Sequence, residues 1–154
     1  MDTSISVETG SVEETRALGR CLGQAVAPGD LIALEGELGT GKTVLVQGIA
    51  QALGVRDGVH SPTFVLHHRY RGPVPLDHYD LYRLEGLGWA DAGLDEPAPD
   101  AVSVVEWSER AAPLERWADV RIRLDAIDEQ RRRLTCIKGS DAVRACFHGQ
   151  PSRA

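Results

Sequence analysis

One octapeptide constrains this chain more than anything else in it: Gly36-Glu37-Leu38-Gly39-Thr40-Gly41-Lys42-Thr43. It follows Leu31 to Leu34, a short apolar run of the kind that makes a buried parallel strand. It precedes Val44, Leu45, Ile49, Ala52 and Leu53, which recur at helical spacing until Gly54 stops them. The octapeptide fits G-x-x-x-x-G-K-[ST], and the chemistry explains the spacing. Glycines let the backbone curl so that successive N–H groups point at phosphate oxygens. A lysine in the position of Lys42 brings a point charge to the β- and γ-phosphates, and a hydroxyl in the position of Thr43 ligates magnesium. The phosphates then lie on the positive end of the following helix. Strand, loop and helix together imply a site for a nucleoside triphosphate with magnesium.

Size and charge bound the rest. The 154 residues suit one domain, read as 1–148, with a disordered tail at 149–154. No apolar run approaches the roughly 20 residues of a membrane span. The stretch Met1 to Gly10 is polar and acidic, unlike a signal or transit peptide, so the expected location is the cytoplasm. A net charge of −6 argues against wrapping nucleic acid with this chain alone, because phosphate contacts need a basic face. The dense basic cluster Arg131-Arg132-Arg133 reads as a solvated hairpin edge. Cys21, Cys136 and Cys146 are odd in number and far apart, and they read as reduced packing thiols rather than a zinc site or a disulfide. His67 and His68 are adjacent and would point to opposite faces of a strand, which does not suit a shared metal.

Along the chain, Ile5 to Val7 reads as a first strand. Ser11-Val12-Glu13-Glu14 reads as a capping box opening a helix that Pro28-Gly29 ends. Thr63 to Tyr70 and Val74 to Tyr79 read as antiparallel partners turned by Gly72-Pro73. A helical turn is expected from Asp80 to Leu84, then an irregular segment with a short helix from Glu85 to Asp100. Ala101 to Val105 is a second buried strand, and Glu109 to Trp117 is expected to be helical. Val120, Ile122 and Leu124 alternate with Arg121, Arg123 and Asp125, with Arg133 to Lys138 returning against them as a hairpin.

Four further positions carry candidate chemistry. Glu106 ends the second buried strand, where a phosphate-binding loop needs an acidic group for magnesium or its waters, though many such proteins use aspartate there. Asp80 ends another strand and either positions water or caps a helix. By alternation Asp77 faces away from it, so at most one of the two reaches the phosphates. Ser61-Pro62-Thr63 offers small hydroxyls suited to sensing a γ-phosphate, or is an ordinary turn. Trp107 either packs in the core or flanks the nucleotide.

The octapeptide, Ser61-Pro62-Thr63-Phe64, His78-Tyr79-Asp80-Leu81-Tyr82-Arg83-Leu84 and Val105-Glu106-Trp107, in this order and spacing, resemble the TsaE family, the small ATPase of bacterial tRNA threonylcarbamoyladenosine synthesis. The resemblance spans roughly Glu8 to Lys138. It implies an α/β fold, a single P-loop NTPase-like domain whose mixed sheet has helices on both faces and added antiparallel strands. It implies ATP and Mg2+ as cofactors. Gly36, Gly39, Thr40, Gly41, Lys42, Thr43 and Val44 would hold the phosphates, and Thr43 and Glu106 the metal. Asp80 and Lys42 would serve hydrolysis, weak in the chain alone, with Ser61 and Thr63 in a switch segment. The partners would be TsaD- and TsaB-type subunits that modify adenosine 37, with tRNA met only indirectly and no membrane involved. Thr40 stands where the family usually has alanine, and Val44 where a second threonine is common. Leu87 to Asp100 is poorly matched. An arginine near the last hairpin meets the nucleotide in the family, and Arg131 and Arg133 are both candidates.

Two rivals differ in class. A small-molecule kinase needs an acceptor pocket and an arginine-bearing lid, for which only Arg110, Arg116 and the hairpin arginines are on offer. An ATP-binding structural module would hydrolyse negligibly, against which Asp80 and Glu106 argue. No guanine-specific Asn-Lys-x-Asp is present, which tilts the base towards adenine.

Overall fold

Apolar runs and alternation are realised as seven strands and four helices in a computed structural model that describes residues 4–37, 39–59, 67–81, 96–108 and 114–148. In chain order they are β1 (Ile5–Thr9), α1 (Val12–Ala25), β2 (Leu31–Glu35), α2 (Lys42–Ala52), β3 (His67–Tyr70), β4 (Leu76–Asp80), β5 (Val102–Glu106), α3 (Leu114–Trp117), β6 (Val120–Ala126), β7 (Arg132–Lys138) and α4 (Asp141–Ala145). The strands form one sheet in the order β1-β7-β6-β2-β5-β4-β3. The centre, β6-β2-β5-β4, is parallel, and antiparallel strands close both sides. This is the mixed α/β sheet with added antiparallel strands that the resemblance implies. The parallel strands β2 and β5 are buried along almost their whole length because both of their faces are covered, β5 even at Ser103, whereas β6 keeps its alternation.

Each face has its own core. Ile32, Leu34, Val104 and Leu134 face α1, α2 and the residues around α4 in the larger cluster. Leu31, Ala33, Val105, Tyr79 and Trp107 meet Ala118, just after α3, in the smaller one. Ser11 caps α1 by accepting from the Glu14 N–H, while Glu14 accepts from the Gly10 N–H, a capping box shifted by one residue. Helices α1 and α2 cross at backbone contact. A Cβ on Gly19 would stand 2.3 Å from the Leu45 carbonyl oxygen, and one on Gly48 would stand 2.1 Å from that of Arg16.

Two expectations need correction, and one element was not expected. The helical turn expected from Asp80 to Leu84 does not start at Asp80, and Tyr82 to Leu84 lie outside the described residues. Asp80 is the last residue of β4, and the Leu81 N–H continues the ladder by donating to the Glu106 carbonyl. Cys21 and Cys146 are not reduced thiols but a disulfide that joins α1 to the residue after α4, across a sequence separation of 125. Cys136 is a buried thiol. Helix α4, capped by Ser140 and buried through Val143, adds an element that was not anticipated. The expected switch residues Ser61 and Thr63, most of the segment from Glu85 to Asp100, the start of the Glu109 to Trp117 helix and the tail at 149–154 lie outside the described residues.

Candidate functional site

Because β2, β5 and β4 are parallel, their carboxyl ends meet at one edge of the sheet, the usual place for a ligand in such folds. The octapeptide leaves β2 there. Gly39 and Gly41 take φ of 78° and 98°, left-handed conformations that L side chains resist, and Gly41 is the N-cap of α2. No described side chain caps that helix, so its positive end opens on the loop. Thr40 fits by donating its hydroxyl to the Glu37 carbonyl at 2.8 Å.

Lys42 is buried beneath the loop. Its ammonium donates to the Gly36 carbonyl and, at 3.0 Å, to that of Glu37. It also lies 4.0 Å from the centre of the Trp107 ring, a cation–π contact. Trp107 thus joins its two expected roles, packing in the smaller core and flanking the site. Its φ of 61° is a strained conformation for an aromatic residue, the kind of strain found beside ligands.

Glu106, at the end of β5, has its carboxylate oxygens 3.4 and 3.3 Å from the Thr43 hydroxyl. His78, from β4, approaches the same carboxylate, Nε2 to Oε2, at 2.6 Å. Asp80 is the register neighbour of Glu106 across the β4–β5 ladder. Asp77 faces the other way. There burial pushes its carboxyl up, but hydrogen bonds from Arg69 and His67 outweigh burial and hold it below the ordinary carboxylate value. His67 and His68 part as alternation requires, His67 stacking on Tyr79 and His68 meeting Tyr70. No group of three metal-ligating side chains occurs among the described residues.

The loop, Asp80, Glu106 and Trp107 border one cavity of about 680 Å³, which the Asp77 group does not line. Gly39, Thr40, Gly41, Lys42, Thr43 and Val44 form its floor, and Asp80, Glu106 and Trp107 one wall. Ser11, Val12 and Thr15 of the α1 terminus and Glu129, Gln130 and Arg132 of the β6–β7 hairpin form the rest. Gly36, also an expected phosphate-binding residue, turns the chain out of β2 with a φ of 146°.

The hairpin arginine at the cavity is therefore Arg132, neither of the two candidates. Arg131 is spent on Asp128, 2.7 Å away in the turn, and Arg133 lies 3.7 Å from Glu8 of β1. Backbone N–H groups of Arg131 and Gln130, with the Arg131 guanidinium, hold Asp128 down at about 2. Arg132 donates to the carbonyls of Asp128, Arg131 and Glu129, which fixes it across the hairpin. Alternation could have found it. Leu134 and Cys136 are buried on the face that carries α1 and α2, and Arg132 is the next position in their phase.

The chain is similar to known proteins over most of its length. The family model described as "Threonylcarbamoyl adenosine biosynthesis protein TsaE" matches residues 9–134. A Streptomyces coelicolor protein named tRNA threonylcarbamoyladenosine biosynthesis protein TsaE is 43% identical over 75% of this chain and 85% of its own. The protein of that name from Bacillus subtilis is 38% identical over 84% of each chain. Among solved structures, Bacillus subtilis YdiB superposes with a TM-score of 0.68 at 30% identity, covering 95% of this chain and 93% of its own.

Proposed function

The chain belongs to the TsaE family, and from that premise we propose that it is an ATPase subunit serving threonylcarbamoyl modification of adenosine 37 in tRNA. The observation that carries this reading is the convergence of the loop, Asp80, Glu106, Trp107 and Arg132 on one cavity.

Each role follows from chemistry. The loop amides and Lys42 bind the triphosphate, Lys42 exchanging carbonyl oxygens for phosphate oxygens. Arg132, which lines the same cavity, adds positive charge. Thr43 and Glu106 fit magnesium, since they present a hydroxyl and a carboxylate, hard oxygen donors, close together at the loop. Two protein ligands are few, which suits an ion that keeps waters and takes phosphate oxygens. When bound, it supplies charge neutralisation on the phosphates. Asp80 orients the attacking water and accepts its proton. With no acceptor substrate required, the output of turnover is a change in TsaD- and TsaB-type partners, and tRNA is met through them.

A cytoplasmic location is part of the proposal. No helix among the described residues is long and apolar enough to cross a membrane. The Cys21–Cys146 disulfide pulls against a reducing compartment, and thiol alkylation in intact cells measures how much of it forms there.

The test is ATP turnover by the chain alone, with the partner subunits, and with both for Asp80→Ala. Turnover should rise with the partners and fall about 100-fold in the variant. Negligible turnover in every mixture would leave an ATP-binding structural module instead.

A further inference from the structure

Glu106 is one methylene longer than aspartate, so its carboxylate has an additional torsion to settle before it can serve a cation. His78 is placed to settle it. It lies on β4 opposite Val104, on the face that Glu106 shares, one step back from the strand ends. Its side chain is fully buried, and its Nε2 is 2.6 Å from Oε2 of Glu106. A carboxylate oxygen accepts, so Nε2 carries the proton and donates. Nδ1 is buried and has no hydrogen-bond partner among the described residues. Burying that unsatisfied nitrogen has a desolvation cost that an apolar side chain would avoid, so packing alone does not account for a histidine here.

We propose that His78 is a positioning residue: its hydrogen bond locks the rotation of the Glu106 carboxylate towards the Thr43 hydroxyl and thereby sets the affinity for the divalent cation. This rests on the reading of Glu106 as a metal ligand. The specific content is that the donor at Nε2 matters, rather than the bulk or polarity of the ring. Glutamine can place an N–H near Nε2, while the shorter asparagine places one near Nδ1, out of reach of Glu106.

The experiment uses the full chain, in excess over a non-hydrolysable ATP analogue, titrated with Mn2+ while free Mn2+ is read by electron paramagnetic resonance. Analogue affinity is measured separately in EDTA. His78→Asn and His78→Phe should weaken Mn2+ binding about tenfold, and His78→Gln no more than about threefold, with analogue affinity in EDTA unchanged. Equal Mn2+ affinities in the Gln and Asn variants overturn the proposal, as does an equal loss of analogue affinity in EDTA, which marks a merely structural role. If the Phe variant does not fold, the Gln–Asn pair decides. Glu106→Gln separates the two levels. Unchanged Mn2+ binding there overturns the metal-ligand reading and the proposal together. Weakened binding there, with all His78 variants alike, overturns the proposal alone.

Discussion

Asp77 and Glu106 are carboxylates with side chains only 3% exposed, on opposite faces of the paired strands β4 and β5. Asp77 sits in a closed arrangement. Arg69 grips both of its oxygens, His67 takes a second bond to one of them, and Asp100 holds the far side of Arg69. Glu106 opens on a cavity, with a hydroxyl at the outer limit of hydrogen bonding and a histidine behind it. Burial is the same, but the surroundings differ. A carboxylate whose charge is neutralised by the protein holds structure together. One whose charge is presented to a cavity is available to a ligand.

The largest expected effect lies on the cavity side. Lys42→Ala should cost at least about 100-fold in ATP affinity by calorimetry, close to 3 kcal/mol, with little change in thermal stability. Unchanged affinity would remove the ligand role from this face. Next, Asp77→Ala should destabilise the fold by about 2 kcal/mol in urea, less than a fully buried pair would, because Arg69 is 39% exposed. ATP affinity should hold. Glu106→Gln should do the converse and leave the urea midpoint nearly unmoved. If both substitutions destabilise alike, the distinction between the two carboxylates fails.

The smallest effect is in pH. The Asp77 carboxyl is held below its ordinary value in the folded state, so its contribution is fully present at neutral pH. It is lost as pH falls from about 4 through the lowered folded value. Urea stability should therefore drop more between about pH 7 and pH 3 in the unmodified chain than in Asp77→Asn. Equal drops would mean that Arg69 and His67 do not favour the charged form.

The parts legible in the sequence were those set by local rules. A glycine pattern fixes the turn between β2 and α2, and a capping box fixes the start of α1, because both depend on residues a few positions apart. The opposite orientations of Asp77 and Asp80 follow from strand alternation alone. Other features needed the third dimension. The Cys21–Cys146 bond joins positions with nothing in their spacing to link them, since the return of the chain through β7 brings them together. Arg132 was masked by two arginine neighbours, and only the phase of the buried Leu134 and Cys136 distinguishes it. The α1 terminus at the cavity is a matter of helix packing on the sheet, which no local pattern states.

The glycine crossing of α1 and α2 has a mechanical consequence. With carbonyl against glycine and no side chain between them, the two rods have no cushion in which to slide. A displacement of α2 by a bound triphosphate would drag α1 along as part of one stiff bar. The disulfide hitches the chain beyond α4 to that bar. A stroke produced at the loop would therefore be carried by α1, α2 and the residues after α4 together rather than by α2 alone.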